Sequence, residues 1–291
     1  MHARERYVKL SADRAQFLTT ARQASDLTLP YLIRDEETYN KSSKVLKTPW
    51  QSVGAKGVVT LASKLMLALL PPQTSFFKLQ VNDMELGEEL GPAIRSELDL
   101  SFAKIERTIM ESIAASDDRV VVHQALKHLV VAGNALIYMG KDGLKMFPLN
   151  RYAVDRDGNG NVIEIVTKET ISKKLLKNFY PDYKEPIPNS PANSYGSTIA
   201  EDQCEVFTHV RLDNNRWLWH QEVDDKILPG TMGKAPKDTS PWLVLRFNHV
   251  DGECYGRGRV EEFIGDLKSL EALSQALVEG SAAAAKVVFT V

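Results

Sequence analysis

The stretch Tyr255-Gly-Arg-Gly-Arg-Val-Glu-Glu-Phe-Ile-Gly-Asp-Leu-Lys-Ser-Leu-Glu-Ala-Leu-Ser-Gln-Ala-Leu-Val-Glu-Gly-Ser281 organises the rest of the chain. Gly256 and Gly258 free the backbone for a turn, and Arg257 sits between them. From Val260 onward Phe263, Ile264, Leu267, Leu270 and Leu277 recur at helical spacing. The spacing predicts one long helix running to about Ala285. At ~1.5 Å per residue it reaches roughly 40 Å, longer than a compact domain usually needs for one element.

The two faces of this helix differ in kind rather than polarity. Val260, Phe263, Ile264, Leu267 and Leu270 form a bulky stripe, and Gly265, Ser269, Ala272 and Ala276 form a stripe of small residues opposite it. Charges occupy the flanks: Glu261, Lys268 and Glu279 on one edge, Arg259, Glu262 and Asp266 on the other. One reading is a central helix buried in its own domain. The other is a helix packed between copies of itself, bulky stripe against small stripe, a head-to-tail contact that generates rings where the rotation closes. The ending Lys286-Val-Val-Phe-Thr-Val291 reads as a strand that starts without a partner, so the chain is expected to be the N-terminal portion of something longer.

With 291 residues, 43% hydrophobic and 25% charged, the chain has enough material for one large or two ordinary domains. The formal charge of -2 excludes a nucleic-acid clamp built on overall charge, though not a local basic patch. Cys204 and Cys254 are too few for a disulfide framework or a zinc site, which points to synthesis in a reducing cytoplasm. The apolar run from Val58 to Leu70 is interrupted by Lys64 and too short to span a bilayer. A soluble protein with no membrane association is expected.

Before the long helix the pattern is mixed. Helices are expected over Ser11–Ala24 with Ser11 as cap, Trp50–Leu70 closed by Pro71-Pro72, Pro92–Ala115, and from the capping pair Asp117-Asp118 to Ala132, ended by Gly133. Gly54, Ala55, Gly57, Ala62 and Ser63 suggest close packing of the second helix. A short strand is expected over Phe76–Val81. From Ala135 the period becomes two, and Ala135–Met139, Leu144–Phe147, Tyr152–Val154 and Val162–Thr170 read as a meander of strands. Tyr180–Ala200 reads as a loop. Cys204–Leu212 and Arg216–Val223 form a hairpin around Asn214-Asn215, and Trp242–Phe247 is the last strand. The fold class is α+β: a wing of helices (11–132) and short strands (135–250) within residues 1–254, then a stem helix over 255–285.

Nothing local assembles catalytic machinery or a cofactor site. Asp155-Arg-Asp-Gly-Asn-Gly160 matches the first half of a calcium loop, but Val166 stands where a bidentate Glu is needed, and a hairpin turn is the better account. A two-residue turn at Asn214-Asn215 sets Asp213 opposite Arg216 and His209 opposite His220. Val206, Val210, Leu212, Trp217, Trp219 and Val223 then share the buried face, leaving the histidines as an exposed pair that lacks a third metal ligand. His123 and His128 are five apart, not the four of a zinc-protease helix. Gly230-Thr-Met-Gly-Lys234 has the wrong spacing for a phosphate loop.

Several motifs occur together in order: Thr48-Pro-Trp50-Gln-Ser-Val-Gly-Ala-Lys-Gly with Leu61-Ala-Ser-Lys-Leu-Met-Leu-Ala-Leu69; Ala125-Leu-Lys with Val130-Val-Ala-Gly-Asn134; Arg151-Tyr with Val162-Ile-Glu-Ile-Val166; and Asp251-Gly-Glu-Cys-Tyr-Gly-Arg257 running into Glu261-Glu-Phe-Ile-Gly-Asp-Leu267 and Ser269-Leu-Glu271. Together they resemble the portal (head-to-tail connector) proteins of short-tailed double-stranded DNA phages over nearly the whole chain. The resemblance implies an incomplete portal fold and a homo-dodecameric ring at one capsid vertex. Such a ring is assembled in the host cytoplasm and carried in the virion. It lets double-stranded DNA in and out without sequence preference and meets the capsid or scaffolding protein, the terminase large subunit and tail adaptor proteins. It needs no cofactor and is not an enzyme. Residues 286–291 would open the clip. Within the stem, Tyr255, Gly256, Arg257 and Gly258 mark the start, the bulky and small stripes mark subunit packing, and Glu261, Lys268 and Gln275 mark the channel edge. Gly258 departs from that family's usual Ser, which bears on how the stem helix is capped. The alternative is a capsid-associated scaffold or enzyme subunit with no DNA contact.

Overall fold

The computed structural model describes residues 2–34, 46–72, 74–80, 92–180 and 203–285. Among the described residues four helices come first: α1 (Ala3–Asp26), α2 (Val53–Leu69), α3 (Pro92–Ala115) and α4 (Asp118–Ala132). Strands β1 (Asn134–Gly140), β2 (Gly143–Phe147), β3 (Tyr152–Arg156) and β4 (Val162–Ser172) follow, then a short helix α5 (Lys173–Phe179). Next are β5 (Gln203–Asp213), β6 (Arg216–Val223), β7 (Lys226–Ile227), β8 (Gly233–Pro236) and β9 (Trp242–Arg246). The last described element is α6 (Ile264–Ala285), entered through a 3-10 turn at Val260–Phe263. The expected α+β architecture ending in a long helix is the one observed.

Among the described residues the strand pairings are antiparallel, and the strands fall into two sheets rather than one meander. The small sheet has the order β2-β1-β9, with Ala135 opposite Leu245. The large one runs β3-β4-β5-β6-β7, with β8 also on β6. Local alternation identifies each strand, but the partner of β1 lies about a hundred residues away and is chosen by burial. The β5–β6 register is the one the turn dictates: Asp213 opposite Arg216 and His209 opposite His220. Asn214 and Asn215 take φ of 46° and 65°, which matches the right-handed twist of the flanking strands. Asp224 and Asp225 do the same between β6 and β7, at 47° and 64°.

The main core lies where α1 meets both sheets and gathers Leu18, Leu136, Tyr152, Ile165, Trp217 and Tyr255. Arg14 is buried within it, and its Nη1 donates to the carbonyl of Leu149 (3.0 Å) and the hydroxyl of Tyr7 (3.1 Å). A second cluster, with Ala3, Tyr7, Val166 and Phe207, lies under the first half of α1 on the other side of the large sheet. This corrects two expectations. The first helix begins at Ala3 rather than Ser11, whose hydroxyl donates to Val8 O inside the helix. The histidine face of the hairpin is also not a solvent face, because the start of α1 covers it. Residues 74–80 contain no strand, so Phe76–Val81 is not one over its described part, and Val81 itself, 181–200 and 286–291 lie outside the described residues.

Candidate functional site

The end of α4 is joined to the segment that leads into α6 by a backbone knot. Gly133 ends α4 with φ 73°, a left-handed position that an L side chain resists, and a Cβ there would sit 2.4 Å from the carbonyl carbon of Arg257. Asn134 is buried, and its side-chain amide donates to the carbonyls of Ala132 (2.9 Å) and Gly256 (2.7 Å), while its Oδ1 accepts from Gly256 N–H at 2.7 Å. A Cβ on Gly256 would lie 2.7 Å from Gly133 O, and one on Gly258 would lie 2.4 Å from Val131 O. The Gly258 carbonyl accepts from Glu261 N–H at 3.2 Å to open the 3-10 turn. Glycine at 258 thus has a steric reason, since any Cβ there would press on the backbone at the end of α4.

Tyr255 and Arg257 complete the anchor. Tyr255 is buried in the main core, its hydroxyl accepts from Val154 N–H at 3.0 Å, and burial pushes its pKa up to about 12. Arg257 reaches Glu253 (2.8 Å) and Glu261 (2.7 Å) and stacks over Phe17 at 4.8 Å. Its charge is reinforced, above all by the hydrogen bond to Glu253, and the Glu253 carboxyl is held below its ordinary value in return. Tyr255 to Arg259 is therefore the foot of the long helix, built into the body formed by α4 and the sheets, and regular α-helix starts at Ile264.

Beyond the anchor α6 leaves the wing. Ile264 and Leu267 rest on a cluster with Val58, Val130 and Val260, and Trp50 N–H donates to both carboxylate oxygens of Glu271 at 3.0 and 3.1 Å. No residue of α6 is buried, and Leu273 and Leu277 are 69% and 72% exposed. Of the bulky stripe, Val260 is buried, Ile264, Leu267 and Leu270 are half-buried, and Phe263 is exposed. Gly265, Ser269, Ala272 and Ala276 all face outward, and a Cβ on Gly265 would meet nothing within 4 Å. The edge of Glu261, Lys268 and Gln275 is polar and engaged: Glu261 by Arg257, Lys268 by Gln23 Oε1 at 3.3 Å, and Gln275 by Glu279 at 2.9 Å. Between α2 and the foot of the stem runs an apolar groove of about 260 Å³, with Val53, Gly57 and Leu61 on one side and Phe263 and Leu267 on the other.

The polar constellations elsewhere are structural. Asp157 Oδ1 accepts from the backbone of Asn159 (3.0 Å) and Asn161 (2.7 Å), and the guanidinium groups of Arg156 and Arg246 both reach Gly160 O, at 2.8 and 3.4 Å. Two cations clamp the turn where a calcium loop would need acids. Glu164 accepts from Arg6 (2.7 Å) and pairs with His209 at 2.6 Å; burial opposes its ionisation, but these partners outweigh it and hold the carboxyl at about 2. Glu222 accepts from Ala3 N–H (2.7 Å) at the start of α1 and pairs with His220 at 2.8 Å. His2 and Asp225 lie near it, but its two oxygens already serve those groups. Ser63 meets His123 at 3.4 Å, with burial and then Lys127 pushing that imidazole's pKa down rather than an acid orienting it.

The family model for the bacteriophage head to tail connecting protein matches residues 1–291. The chain belongs to the bacteriophage head-to-tail connecting protein family. It is 37% identical to the portal protein of Enterobacteria phage T3 over 294 residues, and 36% identical to that of Escherichia phage T7 over 295, in each case 98% of this chain and 53% of the relative. It is 31% identical to the portal protein of Pseudomonas phage phiKMV over 256 residues, 86% of this chain and 48% of that one. The chain thus spans about half the length of these relatives.

In this connector-family chain the motifs that carry the resemblance converge on the anchor. Val130 to Asn134 meets Tyr255 to Gly258, and Trp50 to Gly54 meets Leu267 and Glu271. The Arg257 pairs and the Asn134 clamp are not visible as sequence patterns. An Asn directly after a helix-ending glycine is the only hint the sequence carries, and its burial appears only in the structure. Among the described residues no helix is long and apolar enough to cross a membrane.

Proposed function

We propose that this chain is a subunit of a homo-oligomeric ring at the head–tail junction of a short-tailed phage, with α6 as the stem beside the passage for double-stranded DNA. The observation that carries this reading is α6 itself: its foot is locked into the wing, yet its second half exposes Leu273, Leu277 and Val278 with no core beneath them. Apolar surface of that kind calls for neighbours, and a head-to-tail contact repeated by rotation closes a ring. The portal names of the relatives support the same reading, as does the family's head-to-tail description. Terminase, tail proteins and the capsid or scaffolding protein are the partners this role requires.

We assign the passage side to the edge of Glu261, Lys268 and Gln275. From Ile264 to Ala285 three acids stand against one cation, Lys268, so the stem lacks the basic balance that grips duplex, which suits a conduit. The full-length protein should bind duplexes of unrelated sequence alike, with affinity falling as salt rises, and should hydrolyse neither ATP nor DNA. Lys268→Glu should change DNA passage more than assembly. Sequence-specific nanomolar binding at physiological salt would refute the conduit reading.

A further inference from the structure

We infer that the outer face of α2 is the seat for α6 of a neighbouring copy of this chain, an assignment that rests on the ring reading above. Counted from Val53, the residues Lys56, Gly57, Lys64 and Leu67 lie three, four, eleven and fourteen positions on, which places them on one face of α2, and all are exposed, Val53 at 61%. Gly57 leaves a hollow in that face, since a Cβ there would meet nothing within 4 Å. The face borders the apolar groove whose other wall is Phe263 and Leu267.

Charge selects the occupant. α2 carries two cations, Lys56 and Lys64, and no acid, whereas α6 carries Asp266, Glu271 and Glu279 against Lys268 alone, so the helices are +2 and -2. Direction agrees as well. Within the chain α6 runs antiparallel to α2, with Leu267 against Gly54 and Glu271 further on at Trp50. A copy related by rotation about an axis along α6 presents its own α6 in the same sense. Asp266, Leu273 and Leu277, seven and four apart on the exposed side, then meet the lysine and valine face of the next α2. Each α6 is held by its own α2 on one side and by the neighbour's on the other, and the opposed charges fix which surfaces pair.

The test is the concentration at half-assembly of the full-length protein, followed by sedimentation. Lys56→Glu with Lys64→Glu should raise it at least tenfold without lowering the melting temperature of the subunit. Adding Asp266→Lys to that background, which sets a lysine against the new glutamates and takes α6 from -2 to 0, should recover part of the loss. Parental assembly of the double variant, or no recovery on adding Asp266→Lys, overturns the seat while leaving the ring reading intact. Normal rings with impaired capsid incorporation would likewise overturn it and give the face to another partner. If the parent itself forms no ring, the portal reading fails and this inference fails with it.

Discussion

Replacing Asn134 with alanine should unfasten the stem from the wing. The side chain satisfies Gly256 twice, donating to its carbonyl at 2.7 Å and accepting from its N–H at 2.7 Å, and both groups lie in a buried knot. Alanine leaves both without a partner. A buried polar group left unsatisfied costs about 1–3 kcal/mol, so the loss should be roughly 2–6 kcal/mol. That is a large share of the ~5–15 kcal/mol by which a folded domain is usually stable. At ~2–4 °C per kcal/mol, the melting temperature should fall on the order of 10 °C. Asn134→Asp is the sharper variant: it can still accept from Gly256 N–H, but it sets a carboxylate against the carbonyls of Ala132 and Gly256. Its loss should match or exceed that of alanine at neutral pH and shrink as acid protonates the new group. Urea denaturation followed by circular dichroism measures both. A change for Asn134→Ala within about 0.5 kcal/mol of zero would show that the clamp is not what holds the junction.

Gly258→Ser should destabilise by about 1–3 kcal/mol, because its Cβ would press on Val131 O at 2.4 Å; equal or higher stability in denaturation would refute the steric account. Stability should also decline on acidification. His128 is buried, and desolvation lowers its pKa from the usual 6.5 to about 4, so the unfolded chain takes up its proton first and roughly 3 kcal/mol is lost as pH falls from 6.5 to 4. Glu164, held at about 2 against an ordinary 4.5, adds a further loss between those values. His128→Leu should flatten the upper part of the curve, and an unchanged slope between pH 6.5 and 4 would contradict this. Ala272→Leu, on the exposed small-residue side of α6, should leave subunit stability alone but weaken assembly by about 1–3 kcal/mol per contact, so sedimentation identical to the parent would count against helix-to-helix packing there.

The parts of the fold legible in the sequence are those where local pattern and tertiary demand agree. The β5–β6 hairpin was readable to the residue because Asn214-Asn215 permits one turn and the alternation fixes one register. The end of α4 at Gly133 and the long periodic α6 were readable for the same reason. The start of α1 was not. Its first turn looks polar, and its support comes from far along the chain, from Glu222 at its N-terminus and from Glu164 and Asp155 on Arg6. The same helix hides the His209 face, which alternation alone assigns to solvent. Gly256 and Gly258 read as a turn, but their identity answers to the backbone of Val131 and Gly133, more than a hundred residues earlier.

The central claim, that α6 is the stem of a ring, is tested most directly by imaging the full-length protein in negative stain. Closed rings of one dominant subunit number with a central hole wide enough for a duplex are expected, lost or misformed in Lys56→Glu/Lys64→Glu. Monodisperse monomers, or compact particles without a hole at concentrations where the parent is fully associated, would contradict it.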